Sequence, residues 1–207
     1  MMEIYKLNGV GMNANTYLIM NEEIILIDPG TPENQEILKK ELKILNIEFD
    51  DVGIIINTHA HYDHAAMDYL FKNAVVYIHP EELSALETGD RYITLSDMFG
   101  KPFIPPKNIE NIDFLDIDLF DVIHTPGHTM GSISLLFEDK IISGDTIFSQ
   151  GVGRVDLPTG SFTVLKSSID KLNDIVKTNN IKELLPGHGP TTTNIDSCFE
   201  YARILFK

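Results

Sequence analysis

Three of the seven histidines of this 207-residue chain lie within the stretch INTHAHYDHAAM, residues 56–67. They are His59, His61 and His64, and Asp63 lies among them. Clustering three imidazoles and a carboxylate without a cation would leave polar groups that are costly to bury. Imidazole and carboxylate groups are ligands of zinc, iron and manganese. The stretch therefore predicts a metal site.

The spacing of these residues indicates how the ligands could be divided. On a helix, residues i and i+2 point to nearly opposite sides, whereas on an extended or looping segment alternate residues point to the same side. His59 and His61 could then hold one cation, while Asp63 and His64 could hold a second.

More ligand-type residues follow other predicted strands. Asp28 lies in DPG, His128 in TPGHTMGS, Asp145 in SGDT and His188 in LPGHGP. Sites in α/β sheets form where the carboxyl ends of strands meet, so these positions are expected to converge. His128 would complete the first metal site, His188 would complete the second, and Asp145 could bridge both.

Ligands that are all nitrogen or oxygen are typical of catalytic metal sites with an open position for water. The prediction is two divalent metal ions, with zinc favoured and iron or manganese also compatible. Two metals roughly 3.5–4 Å apart can hold a bridging hydroxide that attacks a polarised carbonyl. Asp63 is the candidate catalytic residue, because it could orient the attacking water as well as bind metal.

Other polar residues have weaker signals. Asp28 either starts a turn or supports a ligand histidine. His79 and His124 lie in predicted strands and are expected either to be structural or to support a metal ligand from behind. Tyr62 either lines the pocket or points outward from the loop, and both alternatives stay open. Cys198 is expected to be a small packed residue.

The elements that must position these residues are short apolar strands separated by helices. Continuous runs rich in Ile and Val predict strands buried on both faces. These runs cover residues 24–28, 52–57, 74–79, 121–125, 133–137, 140–145 and 183–186. Together with the helices they predict one layered α/β domain over residues 1–207.

Three segments have helical periodicity: residues 33–46, 161–176 and 195–206. Ser161 is the expected N-cap of the second helix. One face of that helix is predicted to be apolar, formed by Phe162, Leu165, Ile169, Leu172, Ile175 and Val176. Residues 89–108 hold three prolines and two glycines, which predicts a long loop or a crossover between two halves.

Composition excludes several classes of protein. Sixteen Lys and Arg against 31 Asp and Glu give a net charge of −15, which would repel nucleic acid. The single cysteine cannot form a disulfide within the chain. No signal peptide or membrane-length apolar run is recognised, so a cytoplasmic protein without a membrane partner is expected. The oligomeric state has no signal.

The motifs THAHYDH, TPGHTMGS, SGDTIF and LPGHGPTT resemble, in order, the metal-binding motifs of the metallo-β-lactamase superfamily, and the match covers residues 28–193. The resemblance implies a four-layer αβ/βα sandwich, which is the metallo-β-lactamase fold. It also implies a division of the metal ligands. The first metal takes His59, His61 and His128, the second takes Asp63, His64 and His188, and Asp145 bridges them.

Within that superfamily the chain most resembles the glyoxalase II-like, or hydroxyacylglutathione hydrolase-like, enzymes. The segment SGDTIFSQGVGRVDLPTGS, residues 143–161, carries their Gly-Arg-X-Asp element. The resemblance implies hydrolysis of a small-molecule thioester, such as S-acyl glutathione, by metal-bound hydroxide. Only TNIDSCFEYARILFK follows LPGHGPTT. The glutathione-binding residues of the C-terminal region of glyoxalase II are therefore not carried over, and Met130 replaces the usual proline.

Several alternatives remain. A persulfide dioxygenase of the same superfamily would hold one iron with His59, His128 and Asp145, although the PGHGP sequence around His188 favours the hydrolases. A lactonase would use the same metals on an ester. A β-lactamase, an RNA-processing enzyme and a non-catalytic module are each disfavoured. Finally, Arg154 and Asp156 either form a structural salt bridge, which is favoured, or Arg154 contacts the substrate.

Overall fold

The computed structural model of the protein describes residues 3–7 and 9–206. Contacts between Cα atoms divide the chain into two compact units, Met1–Leu115 and Asp116–Lys207. That one domain spans residues 1–207 stays a prediction. The first unit contains residues 89–108, which the structure shows without helix or strand, as a long loop predicts. The crossover between two halves was the wrong alternative for this stretch, because the boundary falls after it.

The first unit is a six-stranded sheet with helices. Its strands are β1 (Ile4–Leu7), β2 (Thr16–Met20), β3 (Ile24–Ile27), β4 (Ile54–Ile56), β5 (Val75–Ile78) and β6 (Ile109–Asn111), and its helices are α1 (Gln35–Ile44), α2 (Tyr62–Ala65) and α3 (Pro80–Thr88). The strands lie in sequence order across the sheet. From β3 to β6 neighbouring strands are parallel. Their carboxyl ends therefore share one edge, where Asp28 follows β3 and residues 59–64 follow β4.

The second unit is a four-stranded sheet, a small hairpin and two helices. Its elements are β7 (Asp121–His124), β8 (Ile133–Phe137), β9 (Lys140–Gly144), β10 (Ile147–Phe148), β11 (Gly151–Val152), α4 (Phe162–Thr178), β12 (Glu183–Pro186) and α5 (Ile195–Leu205). The sheet order is β12-β9-β8-β7, and β10 pairs with β11. Only the β12–β9 pair is parallel in that sheet.

Each of the seven predicted apolar runs contains a strand, but not every one of these strands is buried on both faces. Every residue of β8 is buried, as continuous apolar strands require. The expectation of burial on both faces is wrong for β7, where Asp121 and Val122 are exposed. The reason is that β7 lies at the edge of its sheet, so that only part of it is covered.

The helices α4 and α5 bury one face each against their sheet. Leu165, Ile169 and Leu172 of α4 are at most 3% exposed, as the helical periodicity predicts. Phe162 is a correction: it is 50% exposed and packs edge-on against Phe206 instead of entering the core. Cys198 is fully buried, as expected of a small packed residue. Among the described residues, no helix combines the length and the apolar character that crossing a membrane requires.

The α4 N-terminus provides a simple test of the local structure. Ser161 is the N-cap, and its hydroxyl accepts a hydrogen bond from the backbone N–H of Val164. Replacing Ser161 with alanine should lower the free energy of unfolding by about 1 kcal/mol, since a backbone donor loses its acceptor. Urea denaturation measures the change. Ser167→Ala, on the exposed side of the same helix, is the control and should change stability by no more than about 0.5 kcal/mol.

Candidate metal centre

In the first unit the predicted ligands His59, His61, Asp63 and His64 form one group, which we call the N-terminal ligand group. Nε2 of His59 lies 3.0 Å from Nδ1 of His61. Ligand atoms of His59 and His64, and likewise of Asp63 and His64, lie within 4.8 Å of each other. The three imidazoles are at most 3% exposed. The structure therefore brings together all four residues that the sequence clusters.

The backbone of this group differs in part from the expected extended segment. His59 and His61 lie in the loop after β4, where alternate side chains can point the same way. Asp63 and His64 instead lie in the short helix α2, for which His61 is the N-cap. Adjacent residues of a helical turn point in directions about 100° apart. The second pair thus reaches its place through helical rather than extended geometry.

Asp28 controls the orientation of two of these imidazoles. Its buried carboxylate accepts hydrogen bonds from the backbone N–H and the hydroxyl of Thr58, at 2.8 and 2.7 Å. It also lies 2.9 Å from Nδ1 of His64. A carboxylate only accepts, so Nδ1 of His64 carries the proton and Nε2 keeps its lone pair. Of the two roles open to Asp28, the structure favours the support of a ligand histidine.

Thr58 extends this control to His59. Its hydroxyl lies 3.1 Å from Nδ1 of His59 and donates its own proton to Asp28. The hydroxyl oxygen must therefore accept from Nδ1–H of His59, which leaves Nε2 of that ring with its lone pair. Ligand histidines in metal sites are commonly fixed in this way through their second nitrogen. Thr58 is not among the predicted site residues, although a polar residue directly before the first histidine is a usable signal.

Three hydrogen bonds hold the backbone of residues 60–64, which we call the ligand loop. The N–H of Ala60 donates to the carboxylate of Glu82, a 1% exposed residue of α3. The N–H of Tyr62 donates to the carbonyl of Thr94, at 2.7 Å, in the loop 89–108. The carbonyl of His64 accepts from the N–H of Gly30, also at 2.7 Å. Sequence reasoning also missed Glu82, because nothing local links a helical glutamate to that loop.

The alternative that Tyr62 points outward is wrong, because its side chain is buried. It is 2% exposed, and its ring stacks on Phe99 with 4.7 Å between centroids. Burial, with smaller effects from Glu33 and Tyr69, raises the pKa of Tyr62 to about 12. Its phenol therefore stays protonated at neutral pH and does not act as a base.

Beside the ligand loop, Asn57 and Asp68 form a fully buried pair, in which the amide of Asn57 donates to the carboxyl of Asp68. Burial raises the pKa of Asp68 well above its ordinary value, and the negative charge of Asp28 adds to the shift, while the hydrogen bond from Asn57 opposes it. The native state therefore holds a proton on Asp68 at pH values where the unfolded chain has lost it.

This shift predicts a pH dependence of stability. Because the native state binds the extra proton, the contribution of Asp68 to stability falls as the pH rises from about 4, the unfolded pKa, toward the raised native pKa. Asp68→Asn removes this titration. The free energy of unfolding of the variant, relative to the parent, should therefore increase across that range in denaturation series at several pH values. A constant difference would show that Asp68 does not titrate there.

In the second unit the predicted ligands His128, Asp145 and His188 form the C-terminal ligand group. Each follows the end of a strand: β7, β9 and β12 respectively. Oδ2 of Asp145 lies 3.6 Å from Nε2 of His128 and 3.6 Å from Nε2 of His188. His128 also has its second nitrogen fixed, because Nδ1 lies 2.8 Å from the carbonyl oxygen of Arg154 and must donate to it.

The donor atoms of both groups fit divalent metals. Two ligand atoms on one zinc ion lie roughly 3.3–3.6 Å apart, given bonds of about 2.0–2.2 Å and near-tetrahedral angles. The separations in the C-terminal group agree with this, and the 3.0 Å separation in the N-terminal group corresponds to a narrower angle. His59, His64 and His128 each keep Nε2 as the nitrogen able to bind metal.

The remaining singled-out residues have structural contacts. The ring of His79 caps α3 by accepting from the N–H of Glu81. Nε2 of His124 lies 2.9 Å from the carbonyl oxygen of Met130. Arg154 and Asp156 form a two-point salt bridge at 2.9 and 2.8 Å, as the favoured alternative for this pair predicts.

The family model of the metallo-β-lactamase superfamily matches residues 9–188. The chain belongs to this superfamily, and the predicted metallo-β-lactamase fold is confirmed. The His and Asp clusters together with the family indicate that it binds divalent metal. The chain is a metal-dependent hydrolase of this superfamily.

Two relatives extend this comparison. A probable metallo-hydrolase of Methanocaldococcus jannaschii is 43% identical over 97% of this chain and 98% of that protein. The hydroxyacylglutathione hydrolase GloC of Haemophilus influenzae is 30% identical over 86% of this chain and 87% of that protein.

Two crystal structures are similar over nearly the whole chain. BLEG-1, a B3 metallo-β-lactamase, has a TM-score of 0.80 and 29% identity, covering 98% of this chain and 99% of that one. TTHA1623 in a di-iron-bound form has a TM-score of 0.76 and 27% identity, covering 91% of this chain and 94% of that one.

Proposed function

We propose that this chain hydrolyses small-molecule thioesters, such as S-acyl glutathione, with two divalent metal ions. The metal chemistry rests on one observation, which is that the tautomers of three predicted ligand histidines are fixed. In each ring Nδ1 is hydrogen-bonded by a partner, so Nε2 keeps its lone pair; the partners are Asp28, Thr58 and the carbonyl of Arg154. The thioester class is supported by the relative in H. influenzae that is named a hydroxyacylglutathione hydrolase, and by the Gly-Arg-X-Asp element.

The proposal assigns each ligand to a metal. The first ion would be held by His59, His61 and His128 and the second by Asp63, His64 and His188, with Asp145 as a ligand of both. Membership of the superfamily over residues 9–188, which include all seven positions, supports this division. Within each unit, the measured separations between ligand atoms are compatible with it.

The bound metals would supply Lewis acidity and lower the pKa of a water molecule far enough for hydroxide to be available near neutral pH. The chain's own residues do the positioning. Asp63 would help hold the second ion and could orient the attacking water, while Asp28 keeps His64 in the tautomer that can bind metal. A thiolate is a weakly basic leaving group, so the reaction needs no proton donor from the protein. The protonated Tyr62 accordingly has no assigned step.

Zinc is the proposed metal, with iron as the main competitor. Imidazole and carboxylate ligands accept both ions. The di-iron form of TTHA1623 shows that a protein 27% identical to this one holds iron. We place the substrate among small molecules of the cytoplasm and propose no nucleic-acid or membrane partner.

The proposal is tested by measuring metal content and substrate range on the same purified protein. Elemental analysis for zinc, iron and manganese should give two ions per chain. S-lactoylglutathione and other thioesters should be hydrolysed, and the activity should disappear after chelation and return with metal. His79→Ala, a histidine outside both ligand groups, is the matched control and should keep its activity.

Three other substrates distinguish the alternatives. One bound iron with oxygen uptake on a persulfide would identify a dioxygenase, for which His59, His128 and Asp145 are the ligands. Preferred hydrolysis of a lactone would identify a lactonase. Preferred hydrolysis of a chromogenic cephalosporin would follow the likeness to BLEG-1 instead. Each of these results contradicts the proposed thioesterase.

A further inference from the structure

Gly153 lies in the Gly-Arg-X-Asp element, at a point where the backbone passes too close to the C-terminal ligand group for a side chain. A Cβ at this position would lie 2.0 Å from the carbonyl oxygen of Asp145 and 2.9 Å from Cγ and Nδ1 of His128. Real Cβ atoms do not approach other atoms this closely. Glycine is therefore required here by the contact between the backbone and two metal ligands.

The next residue completes the contact with His128. The carbonyl oxygen of Arg154 accepts the hydrogen bond from Nδ1 of that imidazole, at 2.8 Å. This bond sets both the tautomer and the rotation of the ring, and such partners of ligand histidines raise metal affinity. The close approach at Gly153 is what brings the carbonyl within reach.

The side chain of Arg154 does not take part in this contact and instead forms a salt bridge with Asp156. The guanidinium makes two parallel hydrogen bonds to the carboxylate, and both side chains are more than half exposed, at 61% and 67%. A two-point Arg–carboxylate pair restricts both partners more than a single contact does. The pair therefore holds the turn from residue 154 to residue 156, which carries the carbonyl that His128 uses.

The segment after this turn is joined to the loop that holds His128. The hydroxyl of Thr159 accepts from the N–H of Met130 at 3.1 Å. The N–H of Ser161 donates to the carbonyl of Gly127 at 2.8 Å. These two bonds join the segment 127–130, which contains His128, to the segment 153–161. A shift of the turn would therefore also move the imidazole of His128.

We infer that the turn Gly153–Asp156 is a positioning device for His128, in which Gly153 permits the close approach, Arg154 supplies the orienting carbonyl and the Arg154–Asp156 pair holds the turn. This role requires no contact between any of the three and the substrate. The inference rests on the proposed function, since it takes His128 to be a ligand of the first metal ion.

The direct test compares Gly153→Ala with Gly151→Ala. A Cβ at Gly151 would meet only the ring of Phe148 at 3.6 Å, an ordinary contact, so this variant is a matched control. Metal affinity is measured by competition with a chelator, and the cobalt-substituted protein provides an absorption spectrum. Gly153→Ala should weaken one of two metal equivalents roughly 10- to 100-fold and change the cobalt spectrum. Parental affinity and spectrum in this variant would overturn the inference.

Variants of the exposed pair keep the test valid if Gly153→Ala fails to fold. Arg154→Ala, Asp156→Ala and the double variant should weaken the same metal equivalent by similar factors, because either change releases the turn. A rise in KM in Arg154→Ala alone, with metal affinity and spectrum unchanged, would overturn the inference in favour of a substrate contact.

Metal affinity does not depend on the substrate, so a parent protein that binds two metals but cleaves no thioester would refute only the proposed function.

Discussion

Replacing His61 with alanine is expected to abolish thioester hydrolysis and to remove one of the two metal equivalents. Nδ1 of His61 lies 3.0 Å from Nε2 of His59, so the variant loses one nitrogen of this ligand pair in the N-terminal group. Loss of a partner that merely orients a ligand costs about 10- to 100-fold in affinity or activity. Loss of a ligand should exceed that range. Elemental analysis and kcat for S-lactoylglutathione measure the two effects.

The control for this variant must separate metal loss from unfolding. His79→Ala removes an imidazole that caps α3 and is a member of neither ligand group. It should keep two metal equivalents and its activity, at a cost of about 1 kcal/mol in stability. If His61→Ala folds, binds two ions and hydrolyses the thioester at the parental rate, the assignment of His61 as a ligand is wrong.

The second large effect is expected at Asp28. Its carboxylate accepts three hydrogen bonds, from the N–H and hydroxyl of Thr58 and from Nδ1 of His64, in a site that is 1% exposed. Asp28→Ala leaves these buried donors without their acceptor, which should lower the free energy of unfolding by about 3–5 kcal/mol. The backbone φ of 51° at Asp28 adds to the cost, because aspartate tolerates the left-handed region better than alanine does.

Asp28→Asn distinguishes the orienting role from the packing role. The amide keeps the shape of the side chain, but its NH₂ group can donate to Nδ1 of His64 and so move the imidazole proton to Nε2. The nitrogen that should bind metal would then be blocked. Metal affinity should fall by about 10- to 100-fold with a smaller loss of stability than in Asp28→Ala. Asp170→Asn, on the exposed surface of α4, is the control, and parental affinity in Asp28→Asn would contradict the tautomer argument.

The elements that position the ligands were largely predictable from the sequence, because strands that are buried on both faces have continuous apolar sequences. The runs ISLLF and ELLP correspond to β8 and β12 without any shift. The strand β1, with sequence IYKL, was missed because three of its four residues are only partly buried. The helix α3 was missed although it has proline at its start and glycine at its C-cap, signals that were not used.

The ligand types of the site were also predictable, because metal sites need particular side chains at short spacings. The residues that orient those ligands were not. Thr58 acts through a hydroxyl shared with Asp28, and Glu82 through the backbone of Ala60, 22 residues away. The sequence marked the Gly-Arg-X-Asp element only by resemblance, whereas the structure shows that Gly153 is required by its approach to His128. Such contacts join residues that are far apart in the sequence, so a local sequence pattern does not predict them.

The central claim is that two metal ions act together in thioester hydrolysis, and a metal titration of the metal-free protein tests it most directly. Zinc is added in steps, and the rate of S-lactoylglutathione hydrolysis is measured at each ratio of metal to protein. Because Asp145 is assigned to both ions, the rate should remain low up to one equivalent and reach its maximum only near the second. Full activity at one equivalent, or none at any loading of a folded protein, would contradict the account.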